Sequence, residues 1–348
     1  GNRLASADAL ATLEVEGGAG FSLAAVEHDV GYAAHGFEDR VYRGRLHVTL
    51  DASGRLAAVL ELPLEELLRG LVPSEIPASS PREALRAQAV TARSNVLAQI
   101  GTRHLGDPYV LCSEVHCQAY RGEAAQATAT DAAVRDTAGE ALFGRADRTL
   151  VDAVYSAVCG GHGEDNEAVW PGLPDVNLRG RPDLPPGAAP AWDGGLRDGA
   201  RLRAFLEASP LAWCARARGV RKDRYRWERR LGPAELDGLA APLAVGHVRS
   251  LEVTARGVSG RARALVVVGD AGRGTVEGEL RIRRLLGNLP SAMFVLERDG
   301  EATVLRGGGW GHGVGMCQWG AIGRAEAGQG YREILRAYYA GAEVATIY

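Results

Sequence analysis

The sequence has no run of eighteen apolar residues, so a membrane-spanning helix is not expected. It carries no large excess of either charge: the formal net charge is −3 over 348 residues, and no surface for a polyanion such as nucleic acid is implied. Cysteine is sparse and odd in number at five, so a complete disulfide framework is not expected. There is no His-Glu-x-x-His, which disfavours a zincin, and no Gly-x-Ser-x-Gly elbow. No glycine loop ends in Gly-Lys-Ser/Thr, which removes a nucleotide P-loop. Cys317 lies near His312 without an evident orienting Asn or Asp, so a cysteine-protease arrangement has little support. Nothing repeats at a fixed period. The opening Gly1-Asn2-Arg3-Leu4 lacks the blocks of an export signal, and such a segment is expected to have been removed.

What is present allows a large core: 46% of residues are hydrophobic. Strands are expected at Ala11–Glu16, Phe21–Val26, Val41–Leu50 and Arg55–Glu61, with a hairpin turn at 51–54. Later strands are expected at 142–143, 151–156, 248–255, 263–268, 293–297 and 303–306. Helices are expected at 125–137, 201–207, 232–239, 280–286, 318–327 and 332–339. The Pro/Gly-rich run 171–195 reads as a long surface loop. Strands and helices interleave without a steady βαβ rhythm, which predicts an α+β fold.

The stretch Leu62–Ile100 organises the rest. Leu64, Leu67, Leu68 and Leu71 recur at helical spacing, with Pro63 at the start and Pro73 expected to stop the helix. Ser80 and Glu83 read as a capping box for a second helix. That helix places Leu85, Ala89, Ala92 and Val96 on one face and Gln88, Thr91 and Asn95 on a polar stripe, with Arg93 beside it. Ser74 and Glu75 then fall on a short connection between two amphipathic helices. A carboxyl between Val72 and Ile76 is expected to be desolvated, which raises its pKa and suits a general acid. The plain alternative is a solvated loop glutamate.

Three further clusters carry chemistry. In Cys112-Ser113-Glu114-Val115-His116-Cys117, two thiols and an imidazole can converge on one zinc, with His104 or Cys159 as fourth ligand. Otherwise Cys159 could pair with Cys214. From Arg306 to Met316 six residues are glycine, which lets backbone amides approach a ligand. Within that run Trp310 offers a face for a sugar ring, and His312 a titratable group. Tyr155 to His162 is a strand running into a Gly-Gly turn that can present side chains at a cleft edge.

Together these stretches resemble the stage II sporulation protein D (SpoIID) and LytB amidase-enhancer family. The matching residues are Leu62–Glu66, Val72–Pro77, Ala87–Arg93, Cys117–Gly122, Cys159–His162 and Gly311–Ala321, in the family's order. The resemblance runs from about Tyr42 to the end of the sequence. Residues 1–41 match no family pattern, and the Pro/Gly/Arg-rich insert around 171–237 departs from it.

The resemblance implies a two-lobed catalytic unit with a cleft between the lobes. It implies a bacterial, exported lytic transglycosylase that cuts peptidoglycan glycan strands to leave 1,6-anhydro ends. The family's catalytic glutamate falls on Glu75. Its structural zinc site falls on His104, Cys112, His116 and Cys117. Ser74, Gln88, Arg93, Tyr155, Trp310, His312 and Gln318 become groove candidates. The main alternative is a non-catalytic peptidoglycan-binding enhancer of a cell-wall amidase. A third is a zinc hydrolase with Glu114 as base, which needs an open metal position.

Overall fold

The computed structural model describes residues 11–14, 20–28, 30, 35–114 and 116–348. The fold is α+β. It divides into two compact units. One holds Gly1–Phe143, Thr149–Asp152 and Val344–Tyr348; the other holds Gly144–Arg148 and Ala153–Glu343. No helix among the described residues is long and apolar enough to cross a membrane.

The first unit opens with strands β1 (Ala11–Glu14), β2 (Phe21–His28), β3 (Gly36–Tyr42), β4 (Arg45–Leu50) and β5 (Leu56–Glu61). β2 and β3 form an antiparallel pair, and β1, β4 and β5 a three-stranded sheet in the order β1-β4-β5. Residues 15 and 16, expected to extend β1, lie outside the described residues, as does Val115. The expected turn joins β4 to β5. Asp51 Oδ1 accepts the Ser53 hydroxyl at 2.6 Å and the Ser53 and Arg55 amides at 2.9 Å. These bonds, with the Ser53 hydroxyl foremost, pull the carboxyl down to about 2.

Helices α1 (Leu64–Glu75), α2 (Arg82–Gln99) and α3 (Thr128–Asp136) pack together, and strand β6 (Glu140–Gly144) follows. Two expectations fail here. Pro73 lies inside α1 rather than ending it, so Glu75 is the last helical residue, not a loop residue. A proline in the last turn forfeits only the bond to the carbonyl four residues back, and Ile76 still donates to Val72 O at 3.1 Å. The capping box does not form either. Pro81 is the N-cap, no side chain caps the helix, and the buried Ser80 hydroxyl has no partner.

The polar stripe of α2 is also corrected, because Gln88, Thr91, Arg93 and Asn95 are buried along with the apolar face. A helix flanked by neighbours on several sides must satisfy such groups internally. Ser94 Oγ donates to Val90 O at 2.7 Å and accepts the Leu142 amide at 2.8 Å, and Asn95 Nδ2 donates to Asp152 at 2.5 Å.

The second unit holds β7 (Tyr155–Ser156), α4 (Gly199–Ala208), α5 (Trp213–Arg216), α6 (Lys222–Tyr225), β8 (Arg226–Leu231) and α7 (Pro233–Ala240). Then come β9 (Val248–Arg256), β10 (Ala262–Gly269), β11 (Gly272–Glu277), α8 (Glu279–Leu285), β12 (Phe294–Asp299) and β13 (Ala302–Gly308). The chain ends with β14 (Met316–Cys317), α9 (Gln318–Glu326), α10 (Tyr331–Tyr338) and β15 (Ala342–Thr346), whose residues from Val344 on belong with the first unit. Two antiparallel sheets, ordered β11-β10-β9 and β12-β13-β8, enclose a core that includes Leu231, Leu265, Val267, Ile282, Phe294 and Leu305. β7 and β14 pair in parallel. The strand expected over 151–156 shrinks to Tyr155–Ser156. The run 171–195 is irregular as expected, yet Asn177, Leu178, Asp183 and Leu184 within it are buried.

Candidate active site and metal centre

Glu75 is half-buried at the C-terminal end of α1, and its neighbours Val72 and Ile76 are buried. Its Oε1 accepts the backbone amide of Ala119 at 2.7 Å. The segment that supplies this amide is pinned at several points. The Arg121 amide donates to Ser74 Oγ at 3.2 Å, Gln118 Nε2 to Ala92 O at 3.4 Å, and Arg40 Nη1 to Tyr120 O at 3.0 Å. Ser74 itself donates to Gly70 O at 2.7 Å, so its hydroxyl links helix to loop. Gly70 makes the close approach possible, because a Cβ there would lie 2.6 Å from the Tyr120 ring.

Arg93, expected at a groove, is fully buried. It donates to both oxygens of Glu65 at 2.8 and 2.7 Å and to Glu140 O at 2.9 Å. It therefore braces α1 against α2. Gln88 is likewise buried within α2. For Glu65, burial pulls the carboxyl up, but bonds from Arg93 and the Tyr348 hydroxyl outweigh it and leave the group below the usual range.

Two residues before Ala119, the loop carries the Cys/His cluster. Ligand atoms of His104, Cys112, His116 and Cys117 all lie within 4.8 Å of one another. His104 Nε2 is 3.3 Å from Cys117 Sγ, and His116 Nδ1 is 3.7 and 3.6 Å from the sulfurs of Cys112 and Cys117. Zinc–sulfur and zinc–nitrogen bonds meeting at the tetrahedral angle put such edges at about 3.6 Å. His104 Nδ1 faces Asp107 Oδ2 at 3.0 Å, which aims Nε2 at the cluster. The coupling between the two sulfurs is the main cause that holds Cys117 down to about 6 and Cys112 up to about 12. The donor set thus fits one tetrahedral zinc. Four converging protein ligands leave no open position, which counts against a hydrolase with Glu114 as base. Cys159, the other candidate ligand, sits instead with Asp183, Cys214 and Cys317, its sulfur 3.8 Å from that of Cys214 as a free thiol.

In the second unit, the glycine-rich run is not an open cradle. Its amides are used within the protein: Gly308 donates to Met293 O, Gly309 to Tyr225 O, Gly311 to Pro290 O and Gly313 to Ser156 Oγ. The run closes on the buried guanidinium of Arg261, which a Cβ at Gly313 would meet at 2.5 Å.

His312 is not poised to titrate near neutrality. With its ring assigned as the Nε2–H tautomer, Nε2 donates to Tyr155 O at 2.9 Å and Nδ1 accepts the Val314 amide at 3.1 Å. Burial, with the Arg261 charge adding to it, holds its pKa down to about 3. Gln318 is buried at the start of α9, and Tyr155 is half-buried. Trp310 is 40% exposed, with the Arg224 guanidinium 4.8 Å from its ring centroid. Reading the sequence missed the Ala119 amide, Gly70 and Asp107. Only Asp107 left a trace, three residues after a candidate ligand.

Comparison with known proteins covers both units. Residues 52–143 match the family model described as Stage II sporulation protein (SpoIID). Residues 164–315 match a Domain of unknown function (DUF8618). An uncharacterized protein of Brachyspira hyodysenteriae (strain ATCC 49526 / WA1) is 26% identical over 314 residues, 90% of this chain and 74% of its own. The Amidase enhancer of Bacillus subtilis (strain 168) is 26% identical over 290 residues, 79% of this chain and 39% of its own. Stage II sporulation protein D of Bacillus amyloliquefaciens is 27% identical over 301 residues, 82% of this chain and 75% of its own.

Proposed function

From the match of residues 52–143 to the stage II sporulation protein family model and the similarity to stage II sporulation protein D over most of the chain, we propose that it is an exported bacterial lytic transglycosylase acting on peptidoglycan glycan strands. The observation that carries this reading is the placement of Glu75. It stands at a helix end inside the matched segment, with Oε1 held by the Ala119 amide.

Glu75 donates its proton to the glycosidic oxygen between N-acetylmuramic acid and N-acetylglucosamine as that C–O bond breaks. The resulting carboxylate then takes the proton from the muramyl C6 hydroxyl while that oxygen bonds to C1. One group serves both steps, because its first proton has left before the second arrives. No second carboxylate and no attacking water are needed, unlike ordinary glycoside hydrolysis. Zinc held by His104, Cys112, His116 and Cys117 would supply no chemistry. Its ligands would set the position of Ala119, two residues past Cys117.

The test is Glu75→Gln incubated with isolated glycan strands, with and without stem peptides, and product mass spectrometry. Wild type should release 1,6-anhydro ends, and the variant should fall by about 10²-fold or more. Release by the variant at the wild-type rate would overturn the reading. The Bacillus subtilis relative named Amidase enhancer favours a second reading, in which the chain binds glycan and stimulates a cell-wall amidase without cutting. In that case wild type yields no anhydro ends, yet raises the rate of an added amidase.

A further inference from the structure

We propose that Cys159, Cys214, Cys317 and Asp183 form a second zinc site, buried in the second unit and independent of the reading above. The three sulfurs and one carboxylate oxygen lie within 4.8 Å of one another, and all four residues are buried. Cys159 Sγ is 3.8 Å from Cys214 Sγ and 3.4 Å from Asp183 Oδ2. A tetrahedral zinc with three sulfurs and one oxygen has S···S edges of about 3.8 Å and S···O edges of about 3.5 Å. Three soft thiolates with one carboxylate is a donor set suited to zinc.

The surroundings suit anionic sulfur. The amides of Cys159 and Gly320 donate to Cys317 Sγ at 3.1 and 3.3 Å, and that of Gly161 to Cys159 Sγ at 3.4 Å. Cys317 is the N-cap of α9, where the helix dipole favours negative charge. Asp183 is oriented as a ligand carboxylate usually is: its Oδ1 accepts Arg324 at 2.8 and 3.2 Å, and its Oδ2 accepts the Tyr338 hydroxyl at 3.0 Å. The Arg324 charge offsets part of the excess that three thiolates and a carboxylate leave on a divalent ion. Binding breaks three S–H bonds, forms three Zn–S bonds and releases three protons to solvent.

The experiment is metal analysis and native mass spectrometry of the whole chain, purified anaerobically and reduced, with zinc in the growth medium. Two zinc per chain are expected, one in Cys112→Ser and one in Cys214→Ser. A chelator should take one zinc readily, from the cluster with the exposed His116, and the other only on unfolding. A wild type without zinc overturns the site, as does a Cys214→Ser protein that keeps as many zinc ions per chain as wild type. A native Cys159–Cys214 cross-link with the loss of two hydrogens overturns it as well. Should Cys214→Ser fail to fold, cobalt-substituted Cys112→Ser/Cys117→Ser decides the matter. Thiolate-to-cobalt absorption that persists supports the site, and its absence removes it.

Discussion

At the scale of single residues, the environment of a side chain decided more than its type. His312 stands in a glycine-rich run, where a titratable imidazole is a natural expectation. Both ring nitrogens are instead used by the backbone, at Tyr155 O and the Val314 amide, and burial keeps the ring neutral. Its folded pKa of about 3 lies below the ordinary 6.5, so the ring should not change charge between pH 5 and 8. An NMR titration of ring protons should show His312 flat across that range, and a shift centred near 6.5 would contradict the buried geometry. Glu75, expected on the connection between two helices, is instead the last residue of the first of them. Arg93 was misread because its partner Glu65 is 28 residues away in sequence, and no local pattern announces a pairing across two helices.

At the scale of elements, spacing found both central helices but misjudged their ends. Proline ends a helix when further turns must follow it, and after Pro73 only two helical residues remain. β8 and β11 were missed because their alternation is broken by arginine and glycine, and their neighbours in the sheets hold them in place. The contact of α1 with the 118–121 segment gives a sharp test at Gly70. Alanine inside a helix is worth about 1 kcal/mol over glycine. Here its Cβ would meet the Tyr120 ring at 2.6 Å and Gly122 O at 3.0 Å, and overpacking costs about 1–3 kcal/mol. The clash should win. Gly70→Ala should lower the unfolding free energy, read by denaturant titration, by a net ~1 kcal/mol, and should also reduce any Glu75-dependent cleavage as the Ala119 amide is pushed away. Unchanged stability and activity would show that the loop can yield.

At the scale of the whole molecule, many carboxyls are held below their ordinary range. Asp51 lies in its turn near 2, and Glu65, Asp136 and Glu167 are each lowered, the last two chiefly by arginine hydrogen bonds. A carboxyl depressed in the folded state gives stability that is present above its unfolded pKa and lost as pH falls through the folded value. The imidazoles of His162 and His312, held by burial at about 4 and 3, refuse a proton that the unfolded chain takes up below the ordinary 6.5. The denaturant midpoint should therefore begin to fall between pH 7 and 5, and should fall further below 4.5 and on towards 2 as the carboxyls protonate. A midpoint that stays level down to pH 3 would contradict this. The α+β class was legible from interleaved strands and helices, but the bounds of the two units were not, since each draws on separated stretches of chain.

Val344–Tyr348 belong with the first unit, where the Ile347 amide donates to Gly139 O at 2.8 Å and the Tyr348 hydroxyl to Glu65 at 2.5 Å. During synthesis, the ribosome must therefore deliver Ala153–Glu343 before the residue that steadies the acid partner of Arg93 emerges. At ~5–20 residues per second that is a wait of about 10–40 s. Throughout it, the nascent helix pair stands without its last donor.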